Sequence, residues 1–374
     1  MTDVGVARLH RDEVAHLLKG LPCWSGGGAL EATSCNETEW HQIFIVRNET
    51  SKVVASIPSW RGLDLESKIL ASEALGAVDQ LGPRHVATHR SGEMIVLVDE
   101  FLEGGTLSVD DLTSTTLQDV GRLYARLHRS DVGWFNPIRQ QLMESQLLTA
   151  AECDWAGCLW LLPRLQRLVP EKNAEQLAAE GIDWHFVAEE IRALPSNDAL
   201  PRKGVTTSTV CVHGDAHLGN IMWHRGQLRL IDFDMTAVGP AGADLAYLVL
   251  MLFRCGFSPD AVASVEAQRC FAEGYLLGMA LDASEQALED FLFDMHRWAY
   301  VGLLQMGLLC AVLMNNKGDP RKRQLMHERG PVLLHPKFLS KAKEVLRLAV
   351  TEKMVRERLI KEGLFFVTLS QWLS

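Results

Sequence analysis

The chain lacks most of the features that announce familiar functional classes. Its eight cysteines, at 23, 35, 153, 158, 211, 255, 270 and 310, form no CxxC pair and no Cys/His ladder with zinc-ligand spacing. A disulfide-stapled scaffold and a zinc finger are therefore excluded, and reduced thiols are expected. No basic surplus exists: 37 Lys and Arg stand against 47 Asp and Glu, a net charge of −10. That is the wrong balance for a nucleic-acid binder, which shows a basic patch or stripe. The longest apolar run, Val301 to Met314, spans 14 residues and falls short of the roughly 20 needed to cross a bilayer. It reads as a buried helix, and no membrane association is expected. No internal repeat and no long low-complexity tract is present. The opening residues, MTDVGVARLHRDEV, are too charged for a signal peptide, so a cytoplasmic setting is expected.

What is present is an ordinary globular composition, 47% apolar and 22% charged over 374 residues, long enough for two or three lobes. Residues 1–20 suggest a short amphipathic helix, and PCWSGGGALEATSCNETEW a Gly-rich turn between two extended pieces. HQIFIVRN and SKVVASIP flank Asn48-Glu49-Thr50 as a hairpin. Apolar residues at helical spacing (Leu65, Ile69, Leu70, Ala74, Val78) predict a helix from Asp64 to Leu81. EMIVLVDEFL reads as a further strand, closed by Glu103-Gly104-Gly105. Beyond about Thr106 the period is helical, with Gln118 to Arg129 the clearest case. The chain thus divides into a small strand-rich lobe, residues 1–103, and a large helical lobe, residues 104–374. The fold class expected is α+β.

The chemistry concentrates in VCVHGDAHLGNIMWHRGQLRLIDFD, residues 210–234. A short apolar run leads through His213-Gly214-Asp215 into a loop. Two short strands then surround His224-Arg225-Gly226. Asn220 precedes the first of these strands and Asp232 follows the second, so a hairpin is expected to bring them together with Asp215 on the adjoining loop. Two carboxylates and an amide oxygen are hard ligands suited to Mg²⁺ beside a phosphate. Phosphoryl transfer from ATP needs such a set: one carboxylate for the attacking hydroxyl, an Asn and a second Asp for the metal. The spacing H-x-D-x-x-x-x-N, followed by D-F, matches the catalytic loop and metal Asp of kinases.

HGDAHLGNIMW, LIDFD and GPAGADLAYL together resemble the aminoglycoside phosphotransferase and choline kinase superfamily. The resemblance is specific over residues 210–250 and collinear elsewhere. It implies a protein-kinase-like two-lobed fold, a small antiparallel-sheet lobe and a large helical one, with ATP and Mg²⁺ used in the cleft between them. It implies Asp215 as catalytic base, His213 as the loop-shaping residue, Asn220 and Asp232 as metal ligands, and Asp244 as a support for the loop. Gly26, Gly27 and Gly28 match the nucleotide loop and Glu66 the helix acid. Val98, Glu100 and Phe101 belong to the hinge against which adenine would lie. HRWAYVGLLQ resembles pocket-lining segments, which makes Trp298 and Tyr300 candidates for a cationic substrate through cation–π attraction; aromatics on such an apolar helix are more often core. The substrate expected is a small hydroxylated molecule bearing an amine, in keeping with the acidic balance.

Two positions depart from the pattern. Gly214 stands where phosphorylation-switched protein kinases carry Arg, which favours a constitutive small-molecule kinase. Ser56 stands where the third strand should offer a Lys or Arg to the phosphates; Lys52, Arg61 and Lys68 are the nearby bases. Ser56 is the main support for a rival reading as a non-catalytic, pseudokinase-type binding module. A second rival is a metallohydrolase using His213, Asp215 and His217. For His217 local hydrogen bonding is the expected role, and for Asp234 solvated surface or loop hydrogen bonding rather than metal.

Overall fold

The computed structural model describes residues 9–21, 23–24, 28–37, 41–58, 62–78, 80–91, 94–160, 175, 178–179, 181–253, 264–313 and 331–364. It divides the chain into two units, Met1–Gly105 with Met222–Asp234, and Thr106–Ile221 with Met235–Ser374. The expected boundary near 103/104 is thus displaced by two residues. The hairpin after Asn220 also leaves the helical part for the first unit, because its backbone is tied there. Trp223 N donates to Gly105 O at 3.0 Å and Leu230 N to Leu81 O at 2.8 Å.

In the first unit α1 (Arg11–Leu18) precedes β1 (Glu31–Glu37), β2 (His41–Arg47) and β3 (Lys52–Pro58). Then come α2 (Leu63–Gly76), β4 (His85–Ser91) and β5 (Met94–Glu100). The five strands form one sheet in the order β1-β2-β3-β5-β4, and every pairing is antiparallel. The β2–β3 turn is closed by the Asn48 side chain, whose Oδ1 accepts from Thr50 N at 3.0 Å and Ser51 N at 2.7 Å, the Asx geometry that makes Asn a turn residue. Alternate residues divide the sheet into two faces. Phe44, Val46, Val53, Ala55, Ile57, Val96 and Val98 pack with Val14 and Leu18 of α1. The opposite face brings Leu97 against Leu65 and Ile69 of α2. Gly28 leads into β1 and lines a cavity of about 600 Å³ with Lys19, Trp24 and Leu30.

The second unit holds α3 (Ser114–His128), α4 (Asn136–Glu144), α5 (Ala156–Leu159), α6 (Trp184–Arg192) and β6 (Thr209–Val212). Next in chain order, β7 (Ile221–His224) and β8 (Gln227–Leu230) form the hairpin that groups with the first unit. Arg225 and Gly226 have φ of 50° and 78°, which matches the right-handed twist of the flanking strands. β9 (Ala237–Pro240) then pairs with β6. The rest is helical: α7 (Ala241–Phe253), α8 (Val265–Gly278), α9 (Glu285–Leu313), α10 (Pro336–Thr351) and α11 (Lys353–Glu362). The apolar run from Val301 belongs to α9, and among the described residues no helix is long and apolar enough to cross a membrane. Six described cysteines, Cys23, Cys35, Cys153, Cys158, Cys211 and Cys270, are free thiols.

Candidate active site

Strand β6 delivers the chain into the loop that carries Asp215. The loop is fixed from below by Asp244, in the first turn of α7 and only 2% exposed. Its Oδ2 accepts from His213 N at 2.7 Å and its Oδ1 from Gly214 N at 2.9 Å. His128 Nε2 lies 3.3 Å from the same carboxylate, and His128 Nδ1 lies 2.8 Å from the Tyr275 hydroxyl. A buried carboxylate is costly unless hydrogen-bonded, and here the donors are two backbone N–H groups and a histidine. Gly214 has φ of +78°, and a Cβ added to it would stand 2.3 Å from Met235 O. The absence of Arg at this position therefore has a steric cause beside the electrostatic one: no side chain fits.

On the loop, His213 is wholly buried and its Nδ1 accepts from Asp215 N at 3.3 Å. This hydrogen bond ties the His213 side chain to the loop backbone. The Asp215 side chain is 32% exposed and lies 3.4 Å from His217 Nε2. Asn220 Nδ2 donates to Asp215 O at 2.9 Å and to Asp215 Oδ2 at 3.2 Å. Burial pushes the Asp215 carboxyl up, yet the His217 hydrogen bond, the charges of His217 and His213, and the Asn220 hydrogen bond outweigh it. The net shift is downward, so Asp215 is ionised at neutral pH. The Asn220 amide nitrogen is thereby engaged by Asp215.

In the first unit, Asp232 is exposed and has φ of +64°, a conformation that costs a non-glycine residue energy and clusters at functional positions. Asp234 is not solvated surface, and its side chain is hydrogen-bonded with Asp232 on the same loop. Its carboxylate forms an ion pair with Lys68 of α2, and each side chain is 10% exposed. Ser56 lies inside the sheet, opposite Ile43 on β2 and Leu97 on β5. Lys52 is placed elsewhere, its ammonium 3.6 Å from the centre of the Phe101 ring. In the hinge, the Val98 backbone is within the ladder between β3 and β4, and Glu100 N donates to Arg84 O at 2.9 Å. Phe101 is the first residue beyond the strand. Glu66 sits half-buried on α2. Gly26, Gly27 and Arg61 lie outside the described residues.

The pattern of the phosphotransferase enzyme family (APH) matches residues 66–279, more than half of the chain. The chain belongs to that family. As a member it is a phosphotransferase with an alcohol group as acceptor. No curated protein sequence matches it. Among solved structures, choline kinase from Cryptosporidium parvum is similar at 16% identity and a TM-score of 0.62, covering 97% of this chain and 99% of that one. An ethanolamine kinase from Plasmodium vivax has 17% identity and a TM-score of 0.62, covering 83% of each chain. An aminoglycoside phosphotransferase, so described provisionally, from Ralstonia eutropha has 12% identity and a TM-score of 0.57, covering 87% of this chain and 96% of that one. The fold is that of protein-kinase-like small-molecule kinases.

The two aromatics offered as candidates for a cationic substrate are core, the more frequent case for such a helix. Trp298 is 1% exposed, its ring packs on that of Trp155 at 5.6 Å, and a Cβ on Gly242 would come within 2.3 Å of it. Tyr300 is wholly buried; its hydroxyl donates to Glu190, which also accepts from Lys343 Nζ at 2.8 Å. Both aromatics are helix packing and present no face to a ligand. The metallohydrolase reading also finds no support. Among the described residues no three His, Cys, Asp or Glu side chains form a cation cage, and His217 serves Asp215 as a hydrogen-bond partner.

His128 and Tyr275 were missed by sequence reasoning. They come from α3 and α8, 116 and 31 residues away from Asp244, and no local spacing connects them. The run YARLHR marks the helix but not the inward turn of its histidine.

Proposed function

We propose that this enzyme moves the γ-phosphoryl group of ATP, with Mg²⁺, to a hydroxyl of a small amine-bearing metabolite or antibiotic. The observation that supports it most is the Asp215 carboxylate, hydrogen-bonded by Asn220 on a loop whose backbone Asp244 clamps. Asp215 orients the acceptor hydroxyl and takes its proton. A carboxylate this acidic is a weak base, but phosphoryl transfer passes through a loose transition state in which orientation counts for more than deprotonation. Asn220 Oδ1 and the exposed Asp232 carboxylate have the donor chemistry of Mg²⁺ ligands. The metal, when bound, neutralises charge on the phosphates. Phe101, beyond the end of β5, offers its backbone to the adenine.

The amine preference is supported by the net charge of −10 and by relatives described as choline, ethanolamine and aminoglycoside kinases. The test is ADP release and mass-detected product over amino alcohols, amino sugars and aminoglycosides with Mg-ATP. Asp215→Asn is expected to lower kcat by about 10²- to 10⁴-fold with ATP affinity retained. Unchanged turnover in that variant refutes the base.

A further inference from the structure

We propose that Lys68 of helix α2, anchored by Asp234, supplies the cation that holds the nucleotide phosphates, in place of the base missing at Ser56. The inference rests on the phosphotransferase reading above.

The sheet geometry makes the substitution possible. Side chains directly opposite each other on neighbouring strands share a face, so Ser56 lies on the face of Ile43 and Leu97. Leu97 packs against Leu65 and Ile69 of α2. Lys68 falls on that same stripe of the helix, three residues after Leu65 and four before Ser72, and all three are buried. The hydroxymethyl of Ser56 is too short to carry a charge into this layer, and Lys68 enters it from the other side. Lys52, the base on β3 itself, is committed to the Phe101 ring.

The charge on Lys68 is secured. Its ammonium is ion-paired with the Asp234 carboxylate, and each side chain is 10% exposed. Glu66 cannot be its partner, because residues two apart on a helix point in different directions. Asp234, on the loop after β8, does that work. The arrangement is also a poor device for stability alone, since a buried ion pair returns little against the cost of desolvating both groups. A four-carbon stem ending at Asp234, two residues from the proposed metal ligand Asp232, is instead suited to reach a phosphate oxygen.

The test is calorimetric affinity for Mg-ATP and for adenosine, with thermal unfolding of each variant. Lys68→Met is expected to weaken Mg-ATP binding about 10- to 100-fold while adenosine affinity is unaltered. Lys68→Arg should keep most of the ATP affinity, and Ser56→Lys added to Lys68→Met should restore part of it. If Lys68→Met does not fold, Lys68→Met/Asp234→Leu, which removes both charges, takes its place. A folded variant of either kind that binds Mg-ATP as tightly as wild type overturns the proposal and leaves the phosphotransferase reading intact. Equal losses for ATP and adenosine also overturn it, because they mark a purely structural role. Wild-type protein that does not bind Mg-ATP at all sinks the underlying reading.

Discussion

Asp244 and Asp234 are both buried aspartates, one in each unit, and they are neutralised by different means. Asp244 is met by the backbone N–H groups of His213 and Gly214 and by His128. Asp234 is met by a lysine side chain from another element. Backbone donors cannot leave, so Asp244 makes a fixed bracket under the Asp215 loop. A lysine on a flexible stem can exchange its partner, so Asp234 makes a tether. Rigid support suits a residue that must aim a hydroxyl. A tethered cation suits one that must follow a phosphate.

The comparison can be broken by substitution. Asp244→Ala leaves two buried N–H groups without an acceptor and should cost about 3–6 kcal/mol in chemical denaturation, with kcat falling in whatever protein still folds. Lys68→Met strands the Asp234 charge and should cost about 3–5 kcal/mol. Adding Asp234→Leu should return most of that loss, whereas no partner substitution should return the loss at Asp244. If both sites recover equally in double-mutant cycles, the contrast between bracket and tether is wrong.

Two smaller effects sharpen it. Gly214→Ala forces a Cβ against Met235 O at a positive φ and should cost about 2–3 kcal/mol, read as a lower denaturation midpoint together with reduced kcat. Asp294 shows the behaviour of a half-buried carboxyl with weaker compensation, Arg297 at 3.9 Å and the Thr206 hydroxyl at 3.4 Å. Burial raises it from 3.8 to about 6, against the lowering effects of Arg297 and the Thr206 hydrogen bond. A carboxyl raised on folding holds its proton more tightly in the native state, so its ionisation costs stability as pH climbs from about 4 through about 6. Asp294→Asn should therefore stabilise the protein by about 1–2 kcal/mol at pH 8, after discounting for partial exposure, and by almost nothing at pH 4. An equal gain at both values would assign the effect to packing.

Much of the fold was legible because its signals are local. The Asn48 turn, the α2 periodicity and the β5 run each announce themselves within a few residues. β4, with the sequence HVATHRS, passed unnoticed because it is an edge strand of polar residues, and β9 because four residues are too few to show a period. The Asp215 loop was legible for a related reason: Asp215 and Asn220 are five residues apart, so their hydrogen bonding follows from a short stretch of chain. Trp298 and Tyr300 misled because a helix buried on several sides carries aromatics all round, and sequence alone does not say which face is open.

From the residues alone come the strand-rich and helical parts, the loop with its base and amide, and the membership of a phosphotransferase family that those motifs mark. Tertiary structure decided which lysine pairs with Asp234, which histidine braces Asp244, and that the hairpin after Asn220 is tied to the first unit. The physical reason is sequence distance. Contacts closed within a turn or a hairpin are written in adjacent residues, while Lys68 meets Asp234 and His128 meets Asp244 only after whole elements have packed.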